Sequence, residues 1–113
     1  MTIQTVLITG AAGHLGRAVA ATFAAQGARR VLLDRNADAL RQAFGADTAQ
    51  QLCLSADLLD SGSTQQAVQS ALGQMGQIDV LCHLAGGFGA VRELCDLILI
   101  SQGAFGTFDG SSS

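Results

Sequence analysis

The sequence predicts a doubly wound α/β fold, three layers deep around a parallel sheet. Three observations carry the prediction. Short apolar runs recur along the chain, amphipathic segments of helix length separate them, and a glycine-rich turn follows the first run directly. The runs at 3–9, 30–34, 51–56 and 78–84 are nearly continuous rather than alternating, as in strands covered on both faces. Right-handed crossovers then favour the strand order 3-2-1-4, with the first two helices on one face and the third on the other.

The first run (IQTVLIT, 3–9) leads straight into Gly10. Residues 14–26 place Leu15, Val19, Ala20 and Phe23 on one helical stripe that stops at Gly27. The second run (RVLLD, 30–34) ends in Asp34, and Asn36 is a suitable N-cap for a helix over 37–44, where Leu40, Ala43 and Phe44 share a face. The third run (QLCLSA, 51–56) precedes Asp57. A helix over 63–75 follows, with Ala67, Val68, Ala71, Leu72 and Met75 on one side, Ser61 or Ser63 as cap and Gly76 as stop. The fourth run (IDVLCHL, 78–84) opens onto Ala85-Gly86-Gly87. Beyond it, Val91, Leu94, Leu97, Ile98 and Ser101 fall on one helical stripe. The run 97–100 could instead form a fifth strand, and the helix is the preferred reading. The plan is therefore one unit over 1–89, a helix or strand within 90–105, and a Gly/Ser-rich tail at 106–113 that is expected to be disordered.

Composition narrows the function classes. With 113 residues, 49% hydrophobic and 13% charged, the chain is one domain and not a disordered segment. A net charge of -3 argues against a nucleic-acid surface, which needs clustered positive charge. No apolar stretch approaches the ~18 residues of a membrane helix, and no basic leader precedes the first strand. The three cysteines, Cys53, Cys82 and Cys95, match no metal-ligand spacing and read as thiols in a reducing cytoplasm. All six basic residues are arginine, so the chain has no lysine, and it has no tyrosine.

The informative segment is TGAAGHLG at 9–16, between the first strand and the first helix. Gly10 permits a tight turn, Gly13 lets backbone approach a pyrophosphate, and Gly16 lets helix and strand pack closely. Ala12 belongs to the same cofactor-binding loop, and the free N–H groups of the first helical turn, around Gly13, His14 and Leu15, would face that anion, backed by the helix dipole. Asp34 falls 18 residues after Gly16, where a carboxylate accepts from ribose hydroxyls and repels a 2′-phosphate, which favours NAD over NADP. Arg35, the next residue, could instead meet a 2′-phosphate. Asp57 can bond the adenine amino group while the Leu58 N–H bonds a ring nitrogen; Asp57 could equally begin the cap of the next helix. Ala85, Gly86 and Gly87 are small where backbone must lie flat beside a ligand. His14 and His83 lack a third group to orient them, so no catalytic residue and no metal ligand is assigned.

Over residues 3–89 these features resemble the short-chain dehydrogenase/reductase family, whose domain is Rossmann-type. Thr9–Gly16 is similar to its TGxxxGxG coenzyme loop, with His14 at the middle glycine, and fits the TGxxGxxG spacing of the extended branch equally well. Asp34 matches the NAD-selecting acidic position, and Asp57-Leu58 the adenine-contacting pair. His83-Leu84-Ala85-Gly86 matches the Asn-Asn-Ala-Gly motif, with both asparagines replaced. The resemblance implies hydride transfer between NAD(H) or NADP(H) and an alcohol or carbonyl. It also implies a chain of roughly twice this length, with a catalytic Tyr-xxx-Lys beyond the fourth strand. Lacking both residue types, these 113 residues are expected to be the cofactor-binding part of a truncated member, inactive alone. Ser101 stands too soon after Gly87 to be the family's catalytic serine. A non-catalytic dinucleotide-binding or protein-interaction module is the alternative, with self-association through the exposed edge of the fourth strand.

Overall fold

The computed structural model describes residues 4–84 and 88–101. Eight elements alternate along them: β1 (Thr5–Thr9), α1 (His14–Ala25), β2 (Arg29–Asp34), α2 (Ala37–Phe44), β3 (Gln51–Ser55), α3 (Ser61–Met75), β4 (Val80–His83) and α4 (Phe88–Ser101). The strands form one parallel sheet in the order β3-β2-β1-β4. This is the Rossmann-type arrangement expected from the strand–helix alternation.

Alternation within β1 divides the core. Val6 and Ile8 point to one face, where they join Leu32, Ala20 of α1 and Leu40 of α2. Leu7 points to the other, joining Val31, Leu52, the α3 residues Val68, Ala71 and Met75, and Leu94 and Ile98 of α4. All five residues of β1 are buried, as a central strand requires. Residues 97–100 belong to α4 and not to a fifth strand. Leu94 and Ile98, four residues apart and both buried, share the helix face that packs with α3.

The helix ends show what local chemistry decides. The Asn36 side chain accepts from the Ala39 N–H at 3.0 Å, capping α2 as expected. The cap of α3 is neither Ser61 nor Ser63. Asp60 takes that place, its carboxylate accepting from the Gly62 N–H at 3.2 Å, so the helix begins at Ser61. Ser63 instead accepts from the Asp57 N–H at 3.0 Å. A carboxylate just ahead of the first turn competes better than a hydroxyl already inside it.

The fourth strand is shorter than its apolar run. Ile78 is buried in the core, and the Asp79 carboxylate turns onto β1, accepting from the Thr5 N–H at 2.8 Å. The two edges of the sheet differ. At β3 the Cys53 N–H donates to Asp47 at 2.9 Å, and Thr48 forms a bridge with Gln51. In a parallel ladder alternate residues face opposite neighbours. Since the Asp79 N–H bonds β1, Val80 and Cys82 direct their N–H and C=O groups to the outer edge of β4.

Candidate nucleotide site

Because the strands are parallel, their carboxyl ends gather at one edge, with Thr9 opposite both Leu33 and His83, and Asp34 opposite Ser55. The loops leaving that edge carry most of the residues singled out from the sequence. Ala85, Gly86 and Gly87 lie outside the described residues, as does the 106–113 tail.

The turn from β1 to α1 is set by glycine. Gly10 has φ +68°, a conformation that side chains disfavour, and its carbonyl accepts from the Gly13 N–H at 3.2 Å. A Cβ on Gly16 would lie 2.2 Å from the Gly10 oxygen and 2.6 Å from the Ala11 Cα. Only glycine lets α1 start this close to the strand. A Cβ on Gly13 would meet nothing nearer than 3.4 Å, so that exposed position has room above it.

Gly13 is the N-cap of α1 and offers no side chain to the helix end, whose first turn also lacks acidic residues. The N–H groups of His14, Leu15 and Gly16 find no acceptor among the described residues. Asn36 and Asp60 close α2 and α3, whereas α1 presents open donors and a positive dipole end at the sheet's carboxyl edge. That combination suits an anion.

Half-buried Asp34 stands beside this cradle. One carboxylate oxygen accepts from the Ala12 N–H and the other from the Asn36 N–H, both at 3.1 Å. Each oxygen keeps a second lone pair for a hydroxyl donor. Arg35 is exposed next to it, and its carbonyl accepts from the Ser55 hydroxyl at 3.3 Å.

Asp57 opens a tight turn. Its carboxylate accepts from the Leu59 N–H at 3.0 Å, and its carbonyl from the Asp60 N–H at 3.0 Å. Leu58 packs inward against the core, while Leu59 is 83% exposed.

Thr9 heads the glycine motif but has no role of its own in the sequence reading, yet it organises this edge. Fully buried, its hydroxyl accepts from the Leu84 N–H at 2.9 Å and meets His83 Nδ1 at 2.9 Å. The available signal was a hydroxyl that follows Val6, Leu7 and Ile8 at the carboxyl end of the central strand. His83 Nε2 is buried with no partner among the described residues. His14 is exposed at the first position of α1.

Burial raises the Cys53 thiol above its ordinary range, and the nearby Asp47 carboxylate raises it further; burial also raises Cys82. All three cysteines are unpaired and half-buried. Among the described residues no group of His, Cys, Asp and Glu could hold a metal ion. None of their helices is long and apolar enough to cross a membrane.

Comparison with known proteins agrees with this geometry. The family model described as short chain dehydrogenase matches residues 4–101. The chain is 39% identical over 91 residues to 1-deoxy-11-beta-hydroxypentalenate dehydrogenase of Streptomyces avermitilis, a match covering 78% of this chain and 34% of that protein. D-threitol dehydrogenase of Mycolicibacterium smegmatis is 35% identical over 86 residues, covering 74% of this chain and 33% of the relative. The matched stretch thus spans about a third of these curated relatives. Among solved structures, a 3-ketoacyl-(acyl-carrier-protein) reductase from Brucella melitensis complexed with NADH superposes with a TM-score of 0.64 at 32% identity. That match covers 69% of this chain and 32% of the reductase. A short-chain dehydrogenase/reductase from the same organism reaches a TM-score of 0.78 at 25% identity, covering 88% of this chain and 54% of its own.

Proposed function

This chain belongs to the short-chain dehydrogenase family, and from that premise we propose that its 113 residues form the part that binds a nicotinamide dinucleotide. The uncapped start of α1 beside Asp34 carries the proposal, an anion cradle and a diol acceptor on adjacent strands. The pyrophosphate would lie on the N–H groups of His14, Leu15 and Gly16, over exposed Gly13. Asp34 would accept from the adenosine ribose hydroxyls, and a 2′-phosphate would meet its negative charge, so NAD is preferred to NADP. Asp57 and Leu58 would meet the adenine edge, and Ala85–Gly87 the flat backbone beside the ligand. When bound, the dinucleotide supplies or accepts a hydride.

Family-type turnover needs a proton donor tuned to neutral pH. These residues include no tyrosine and no lysine, so the chain is proposed to bind without catalysing, as a truncated member would. The three unpaired thiols support a reducing, cytoplasmic location. The open edge of β4 supports pairing with a second copy. Titration calorimetry tests the central proposal. NADH should bind the folded chain at least tenfold more tightly than NADPH, about 1.4 kcal/mol. No heat with NADH would refute dinucleotide binding, and equal affinities would refute the role of Asp34.

A further inference from the structure

Three large apolar side chains are exposed among the described residues: Leu15, Leu59 and Leu84. Each follows the carboxyl end of a strand, β1, β3 and β4 respectively. Scattered surface leucines are ordinary, but three confined to one edge of a sheet are a local feature.

Leu59 occupies the least apolar of these settings. Asp57, Asp60, Ser61 and Ser63 surround it in sequence, and a polar residue there would cost the fold nothing. Its backbone is nonetheless fixed. The Asp57 carboxylate holds the Leu59 N–H, the Asp57 carbonyl holds the Asp60 N–H, and Asp60 caps α3. An apolar side chain is thereby presented to solvent from a rigid turn. Its neighbour Leu58 cannot serve the same purpose, since it packs into the core with Leu33, Ala56 and Val68.

The order of groups along the edge indicates what would cover Leu59. The anion cradle stands over β1, the Asp34 carboxylate ends β2, and the Asp57–Asp60 turn follows β3. Neighbouring strands are about 4.8 Å apart, so the third position lies roughly 10 Å from the first. Phosphate, sugar and base follow one another in a nucleotide in the same sequence. Resting on the dinucleotide reading above, we infer that Leu59 is the side chain that covers the face of the adenine ring. Asp57 contributes by holding the turn as well as by any contact of its own with the base.

The test compares NADH binding to the intact chain and to its Leu59→Ser variant by NADH fluorescence, together with leucine-methyl NMR of the NADH-bound protein. Losing half of a leucine's contact should weaken binding roughly five- to tenfold. Thermal melting should be unchanged, because the side chain supports no part of the core. The methyl resonances that vanish in the variant should show NOEs to adenine H2 or H8 in the wild type. Unchanged affinity in Leu59→Ser overturns the inference while leaving dinucleotide binding intact, as do NOEs to nicotinamide protons alone. A lowered melting temperature that accompanies the weaker binding assigns Leu59 to the turn and also overturns it. Absence of NADH binding by the wild type overturns the underlying reading instead.

Discussion

Gly13 and Gly16 are three residues apart and answer to different physics. At Gly16 a methyl group would press on backbone atoms of Gly10 and Ala11 that cannot move independently of β1. Gly16→Ala should therefore cost about 3 kcal/mol in urea denaturation, the upper part of the overpacking range. Gly13 has space, so Gly13→Asp should leave stability nearly unchanged. It should weaken NADH binding roughly a hundredfold, because its carboxylate would stand where the pyrophosphate belongs. The cysteines give a pH dependence whose sign is fixed. Their thiols are raised in the folded chain, Cys53 by burial and then Asp47, Cys82 by burial. Folding thus favours the neutral form, a contribution present below the unfolded thiol value and lost as pH rises through the folded one. Urea midpoints should fall on the alkaline side, and Asp47→Asn should reduce the Cys53 share. A midpoint independent of pH across the thiol range would contradict this.

At the scale of the elements, the sequence was most legible where periodicity and glycine act together. The sheet order and the positions of α1 and α2 follow from apolar runs, Asn36 and the glycine stops. What stayed hidden involves bonds between residues far apart in the chain. Nothing local indicates that Asp34 holds the Ala12 N–H, that Thr9 meets His83, or that Asp79 leaves the fourth run to bond Thr5. The α3 cap was hidden for another reason, since Asp60, Ser61 and Ser63 are all competent acceptors in one short stretch. The structure selects Asp60, so Asp60→Ala should cost about 1 kcal/mol of stability. Ser61→Ala should be close to neutral by the same measurement. Equal losses would show that the serine shares the cap.

For the whole molecule, the contrast between the two sheet edges matters most. Asp47, Thr48 and Gln51 block part of β3, whereas no described strand pairs with the edge that Val80 and Cys82 present on β4. Sedimentation of the 113-residue chain should show a concentration-dependent dimer. Val80→Pro should abolish it without unfolding the protein, because the lost N–H faces outward. A wild-type chain that stays monomeric at every concentration would rule out use of this edge. The sheet order also has a consequence in time. Among the described strands β1 is made first but sits third, and its pairs with β4 join residues 74 apart. Until the ribosome has released Val80–His83, one flank of the most apolar strand has no mate. The nascent chain must carry that flank while the residues between the two strands are made, which makes β1 the segment where a chaperone has most reason to bind.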